Sequence, residues 1–192
     1  MKFLLVVLLL RVCHSLTVKV ALCQIHSGND KNRNIENAKT MIDRAASTGA
    51  SVIVLPEIWN SPYATDQFPV HAEALPPVGW SAGKSGKNAG YGPSAVMLSE
   101  QALHHNVVIV GGSVPEISGG SIFNTALVLG PTGEVLATHR KVHLFDINIP
   151  GKMTFMESDT LTPGDKVTAF RLPEPLDEVV IGLGICYDLR FP

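Results

Sequence analysis

Three residues of this sequence have the types needed for covalent chemistry on a carbonyl group: Cys186, Glu57 and Lys141. A free thiol has a pKa of about 8.5, so at neutral pH it needs help to become a nucleophile. A carboxylate can take the thiol proton, and an ammonium can favour the thiolate and a developing oxyanion. Each of the three follows an apolar run. Glu57 comes after Val52-Ile53-Val54-Leu55-Pro56, Lys141 ends the second arm of an expected hairpin, and Cys186 ends the last expected strand. Loops at strand ends converge on a rigid frame, which is where ligands collect in layered α/β sheets. Read singly, each residue also has a plainer meaning. Glu57 and Lys141 suit solvated strand termini, and Cys186 suits a buried apolar filler.

Other patterns fail on inspection. Gly83-Lys84-Ser85 resembles the end of a phosphate-binding loop, but Val78 stands where that loop needs glycine, and no strand precedes it. His139 and His143 are four apart without an acidic or thiol partner at ligand spacing, so a metal site is not expected there. No complete G-x-S-x-G elbow is present.

The elements that must carry these residues follow from hydrophobic period. Val18 to Ile25 is apolar and β-rich. Asn32 to Ser47 places Ile35, Ala38, Met41, Ile42 and Ala45 on one helical stripe, with Gly49 as a stop signal. Ser51 to Leu55 is a short apolar strand, which completes a βαβ unit. Leu75 to Pro93 is rich in Gly and Pro and reads as a surface loop, and Ser94 to Asn106 reads as a helix. Val107 to Val110 is expected as a strand running into Gly111-Gly112. Ile122 to Leu129 and Glu134 to Val142 flank Gly130-Pro131-Thr132-Gly133 as a hairpin. A further Pro-rich connection ends near Pro175. In the last strand, Val179 to Ile185, one face carries Val179, Ile181, Leu183 and Ile185. The other carries Val180, Gly182, Gly184 and Cys186 and is nearly bare backbone.

Composition limits the class of protein. The 192 residues are 45% apolar and 17% charged, with 15 Lys+Arg against 17 Asp+Glu and a net charge of −2. A disordered tail is excluded, and nothing in the charge balance points to nucleic acid. Three cysteines, Cys13, Cys23 and Cys186, do not make a disulfide framework. Lys2 followed by the apolar run Phe3 to Leu10 is too short to span a bilayer, and none of the chain is expected to cross one. The run suits a signal-peptide core, so residues 1–15 are expected to be a signal peptide directing secretion and residues 16–192 the domain. The bland alternative is a gene-model artefact on a cytoplasmic or organellar protein.

Leu55-Pro56-Glu57, then His139-Arg140-Lys141-Val142-His143-Leu144-Phe145-Asp146, then Gly184-Ile185-Cys186-Tyr187-Asp188-Leu189-Arg190-Phe191-Pro192 resemble the nitrilase superfamily of carbon–nitrogen hydrolases, in order and in local context. Asn60-Ser61-Pro62-Tyr63 and the stretch from Ile149 to Ser158 are most similar to its ω-amidase branch. The resemblance implies an α/β fold, a four-layer αββα sandwich assembled as a homodimer or larger. It implies hydrolysis of the terminal amide of a small dicarboxylate such as 2-oxoglutaramate or 2-oxosuccinamate, without metal or organic cofactor. Cys186 would attack the amide carbon, Glu57 would act as general base, and Lys141 with the backbone N–H after the cysteine would stabilise the oxyanion. Glu157 matches the family's second glutamate, an auxiliary group that positions Lys141. Tyr63 and Tyr187 are candidate substrate contacts, and Asp188 and Arg190 look like scaffold. Family members continue well past the nucleophile, so the chain is expected to be the N-terminal portion of the domain and inactive alone. A nitrile, N-carbamoyl or deaminated-glutathione hydrolase, or an inactive fragment, are the alternatives.

Overall fold

The computed structural model describes residues 17–85 and 90–191; residues 1–15, expected as a signal peptide, lie outside them. The elements in order are β1 (Val20–Leu22), α1 (Lys31–Ser47), β2 (Val52–Val54), α2 (Phe68–His71), α3 (Ala82–Ser85), α4 (Pro93–His105), β3 (Val108–Ser118), β4 (Ser121–Leu129), β5 (Val135–Arg140), β6 (Asp146–Ile149), β7 (Met153–Met156), β8 (Thr168–Arg171) and β9 (Val180–Leu183). Strands β1 to β5 form one sheet in sequence order, with β1, β2 and β3 parallel and β3, β4 and β5 antiparallel. Strands β6 and β7, and β8 and β9, form two separate ribbons.

The strand period divides the sheet's side chains between two cores. Ile53, Ile109, Leu127 and Leu129 point to one face and meet the buried stripe of α1 (Ile35, Ala38, Ile42, Ala45) and the inner face of α4 (Ala95, Leu98, Ala102). Val52, Val108, Val128 and Ala137 point to the other face and meet Phe170, Leu172, Ile181 and Leu183 of the β8–β9 ribbon. Helices, main sheet and ribbon therefore stack as three successive layers, in the order of an α/β sandwich. The bulky face of β9 packs inward while Gly182 and Gly184 face outward, as their alternation requires.

Local chemistry sets the element ends. Asp30 caps α1 by accepting a hydrogen bond from the Arg33 N–H at 3.0 Å, and the chain turns away at Gly49. Helix α4 begins at Pro93, whose missing N–H costs nothing in the first turn, and ends at a left-handed Asn106.

Three expectations need correction. The first strand covers only Val20–Leu22 of Val18 to Ile25, because only those residues pair in register with Val52–Val54. Strand β3 does not stop at Val110. Gly111-Gly112 forms a bulge that shifts register between Val110 and Ser113, and the strand continues to Ser118 before a second hairpin through Gly119-Gly120. The stretch from Leu75 to Pro93 is not wholly surface loop, since Trp80 and Ala82 are buried in the helix-side core.

Candidate active site

Lys141 lies one residue beyond β5, and its side chain is fully buried. Its backbone N–H donates to the Asn124 carbonyl at 2.8 Å, which continues the β4–β5 ladder and aims the side chain inward. The ammonium donates to Glu57 Oε1 at 2.9 Å and to Glu157 Oε1 at 3.0 Å. A buried ammonium survives only when paired, and here two carboxylates share it. Burial alone would pull the Lys141 pKa down, but the charges and hydrogen bonds of Glu57 and Glu157 outweigh it and hold the group above its ordinary range. Lys141 is therefore no solvated strand end.

Glu57 follows β2, and its side chain is partly open to solvent. Its two anchoring bonds, from Lys141 and from Asn124 Nδ2 (2.8 Å), both fall on Oε1. The charge of its carboxylate also acts on the nearby Cys186 thiol. Glu157 opens a 3-10 turn (Glu157–Asp159) and is completely buried. It accepts from Lys141, from the Tyr63 hydroxyl and from the Phe145 N–H (2.6 Å), so its lone pairs are well filled.

Cys186 is exposed and stands at the start of a 3-10 turn (Cys186–Arg190) with φ of +48°, a left-handed elbow that lifts the thiol off the end of β9. Burial of the sulfur and the charge of Glu57 push its pKa up, while Lys141 opposes them; the net direction is upward. A thiol whose pKa is pushed up needs a base beside it to become a nucleophile. Asp188 holds the elbow in place. It accepts from the N–H of Ile185 (3.0 Å) within the turn, and from the N–H groups of Val142 (3.1 Å) and His143 (2.8 Å) just past Lys141. His139 Nε2 and His143 Nδ1 also contact it, at 3.1 and 2.9 Å. Asp188 is scaffold, in line with its sequence context.

The structure thus brings Glu57, Lys141, Glu157 and Cys186 into one cluster. Tyr63 joins it through Glu157, with its ring stacked on Phe155 at 5.5 Å and edge-on to Phe68 at 5.7 Å. Its hydroxyl is committed to Glu157, and part of the ring remains exposed. Tyr187 packs edge-on against Phe145 and Phe191, both at 5.3 Å, as part of an aromatic group beside the elbow. Asn124 escaped the sequence reading, although a polar residue in the run Ile122 to Leu129 was a legible signal. It is fully buried in β4 and holds Glu57 with its side chain and Lys141 with its carbonyl. Among the described residues, no group of three or more His, Cys, Asp or Glu side chains could hold a metal ion.

A sheet layered with helices and a ribbon thus carries a thiol, two carboxylates and a buried ammonium at its strand ends. Residues 19–192 match the carbon–nitrogen hydrolase family, and the chain belongs to that family, with its nitrilase-type α/β fold. It is 49% identical over 172 residues to a chloroplastic omega-amidase of Arabidopsis thaliana, covering 90% of this chain and 43% of that protein. It is 43% identical over 173 residues to the omega-amidase NIT2 of Danio rerio, covering 90% and 56%. The crystal structure of Saccharomyces cerevisiae Nit3, a member of branch 10 of the nitrilase superfamily, superposes with a TM-score of 0.74 at 36% identity, covering 91% of this chain and 57% of that one. The chain spans about half the length of the curated relatives it matches.

Proposed function

We propose that the full-length protein hydrolyses the terminal amide of a small dicarboxylate, of the 2-oxoglutaramate or 2-oxosuccinamate type, through a thioester on Cys186. The observation that carries the proposal is the buried Lys141 ammonium shared by Glu57 and Glu157, with the Cys186 thiol in the field of all three groups. The similarity to omega-amidases supports the choice of substrate class.

Glu57 takes the thiol proton as Cys186 Sγ bonds to the amide carbon. The carbonyl oxygen becomes an oxyanion beside Lys141, whose raised pKa keeps it a full cation through the step. The C–N bond then breaks, and Glu57 returns the proton to the leaving nitrogen, which departs as ammonia. Water attacks the thioester with Glu57 again as base, which releases the carboxylic acid and restores the thiol. Glu157 stays out of the proton traffic; Tyr63 and Phe145 fix it against Lys141. No step calls on a cofactor.

Ammonia release from 2-oxoglutaramate and 2-oxosuccinamate, compared with a nitrile, an N-carbamoyl compound and deaminated glutathione, tests the assignment. Preference for the two oxo-amides, with a Cys186-linked thioester trapped by mass spectrometry and lost in Cys186→Ala, is the expected result. Preference for one of the others moves the chain within its family. A folded full-length protein that forms no thioester with any of them overturns the enzymatic reading.

A further inference from the structure

We infer that Ser113 is a positioning residue that sets the general base Glu57 through a left-handed turn at Ile58; the inference rests on the role proposed for Glu57. Ile58 follows Glu57 directly and has φ of +49°, a conformation that a β-branched side chain strongly resists. Such a conformation persists only where its surroundings over-determine it. Here one residue of β3 supplies three of the bonds that hold it. The Ser113 hydroxyl accepts from the Ile58 N–H at 3.0 Å, the Ser113 carbonyl accepts from the Trp59 N–H at 3.3 Å, and the Ser113 N–H donates to the Pro56 carbonyl at 3.2 Å. The N–H, the carbonyl and the hydroxyl oxygen of Ser113 all bond within the four residues Pro56 to Trp59 that contain Glu57, and Ser113 itself is buried.

The bulge explains how one strand residue can face the segment three times. Beyond the register shift that follows Val110, Ser113 pairs with Ala126 on β4 while its own N–H and carbonyl bond to the segment after β2, and Gly112, at φ +59°, passes so close to Pro56 that a Cβ there would collide with its carbonyl. The left-handed residue also breaks the alternation of an extended chain. Ile58 drops its side chain between Phe68 and Leu161, Trp59 turns into the helix-side core with its indole N–H on the Gly111 carbonyl (2.7 Å), and Glu57 is left facing Lys141 and Asn124. Without the hydroxyl, the Ile58 N–H is buried without an acceptor, the turn relaxes, and Glu57 swings away from the thiol.

The test compares wild type, Ser113→Ala, Ser113→Thr and Glu57→Gln in the full-length product of the gene. Two rates are read: amide turnover, and alkylation of Cys186 by iodoacetamide at neutral pH followed by site-resolved mass spectrometry. Glu57 raises the thiol pKa, so displacing it speeds alkylation. Ser113→Ala is expected to lower kcat by about 10- to 100-fold, as a misplaced reacting group does, with KM within about twofold and alkylation accelerated towards the Glu57→Gln rate. Ser113→Thr keeps the hydroxyl and is expected to keep both wild-type rates. Wild-type turnover and alkylation in a folded Ser113→Ala overturn the inference. Should Ser113→Ala fail to fold, the near-isosteric Ser113→Cys, whose sulfur accepts poorly, is read the same way. If the wild type turns over no amide, the assigned reaction fails, and the alkylation contrast still decides the role of Ser113.

Discussion

Asp188 grips His143 twice with one oxygen: Oδ1 accepts the backbone N–H at 2.8 Å and faces ring Nδ1 at 2.9 Å. Asp188 belongs to the turn that presents the thiol, and His143 lies two residues past the buried cation. One carboxylate thereby ties the turn that carries the thiol to the segment that carries the ammonium. Burial pushes the Asp188 pKa up, but hydrogen bonds from Ile185, His139 and His143 more than offset it and hold the carboxyl below its usual range.

A carboxyl with a depressed pKa contributes stability above its unfolded value of about 3.9 and loses it as pH falls through the folded value. Asp188→Asn is expected to destabilise the fold by about 1–3 kcal/mol at pH 7, the range for a charge-assisted hydrogen-bond cluster. The difference from wild type shrinks below about pH 4. Urea midpoints at the two pH values check both statements.

Lys141→Met leaves Glu57 and Glu157 without their shared cation while filling the same space. Removing one member of a buried ion cluster costs about 3–5 kcal/mol, and amide turnover is expected to vanish. The raised Lys141 pKa has an alkaline counterpart with the opposite sign. Its contribution is complete below the unfolded value of about 10.4 and is lost as pH rises through the higher folded value. Thermal melts of both proteins from neutral to alkaline pH show this as a gap that closes only at the alkaline end.

Tyr63→Phe keeps both aromatic contacts and removes the hydroxyl from Glu157. Glu157 retains Lys141 and the Phe145 N–H, so the expected cost is about 1–2 kcal/mol, without loss of the fold. Turnover is expected to fall while KM stays near wild type, because the hydroxyl is spent inside the protein. A rise in KM alone would make Tyr63 a substrate contact instead.

Glu57→Gln separates thiol acidity from catalysis. It removes a negative charge and a hydrogen-bond acceptor that both raise the Cys186 pKa, while Lys141 continues to lower it. Cys186 is therefore expected to react faster with iodoacetamide at pH 7 as amide turnover is lost. Stopped assays of both reactions on the same preparation check the opposing directions.

Much of the frame could be read from the chain because it rests on local signals. The stripe of α1 with Gly49 behind it, the Gly130–Gly133 turn between β4 and β5, and the two faces of β9 are all set by residues close in sequence. What escaped depends on long-range contacts. Gly111-Gly112 reads as a strand end in isolation, and only Pro56 pressing on Gly112 makes it a bulge inside β3. The β8 strand lies in a Pro-rich stretch and forms because Phe170 and Leu172 find the valines of the main sheet. Sequence order named Glu57, Lys141 and Cys186 but carried nothing about their meeting, which depends on Asn124 and Asp188 as braces.

Lys141 is one positive charge between two negative ones, so the cluster keeps a surplus of negative charge. The amide end of the proposed substrate is uncharged and meets no repulsion from that field. The proposed reaction turns the amide into a carboxylate at the point where the surplus is greatest, facing Glu57. Expulsion of the product is built into the same ion arrangement that prepares the attack. Repulsion at Glu57 hastens release of the product and limits its rebinding, while the equilibrium of the hydrolysis itself is unchanged.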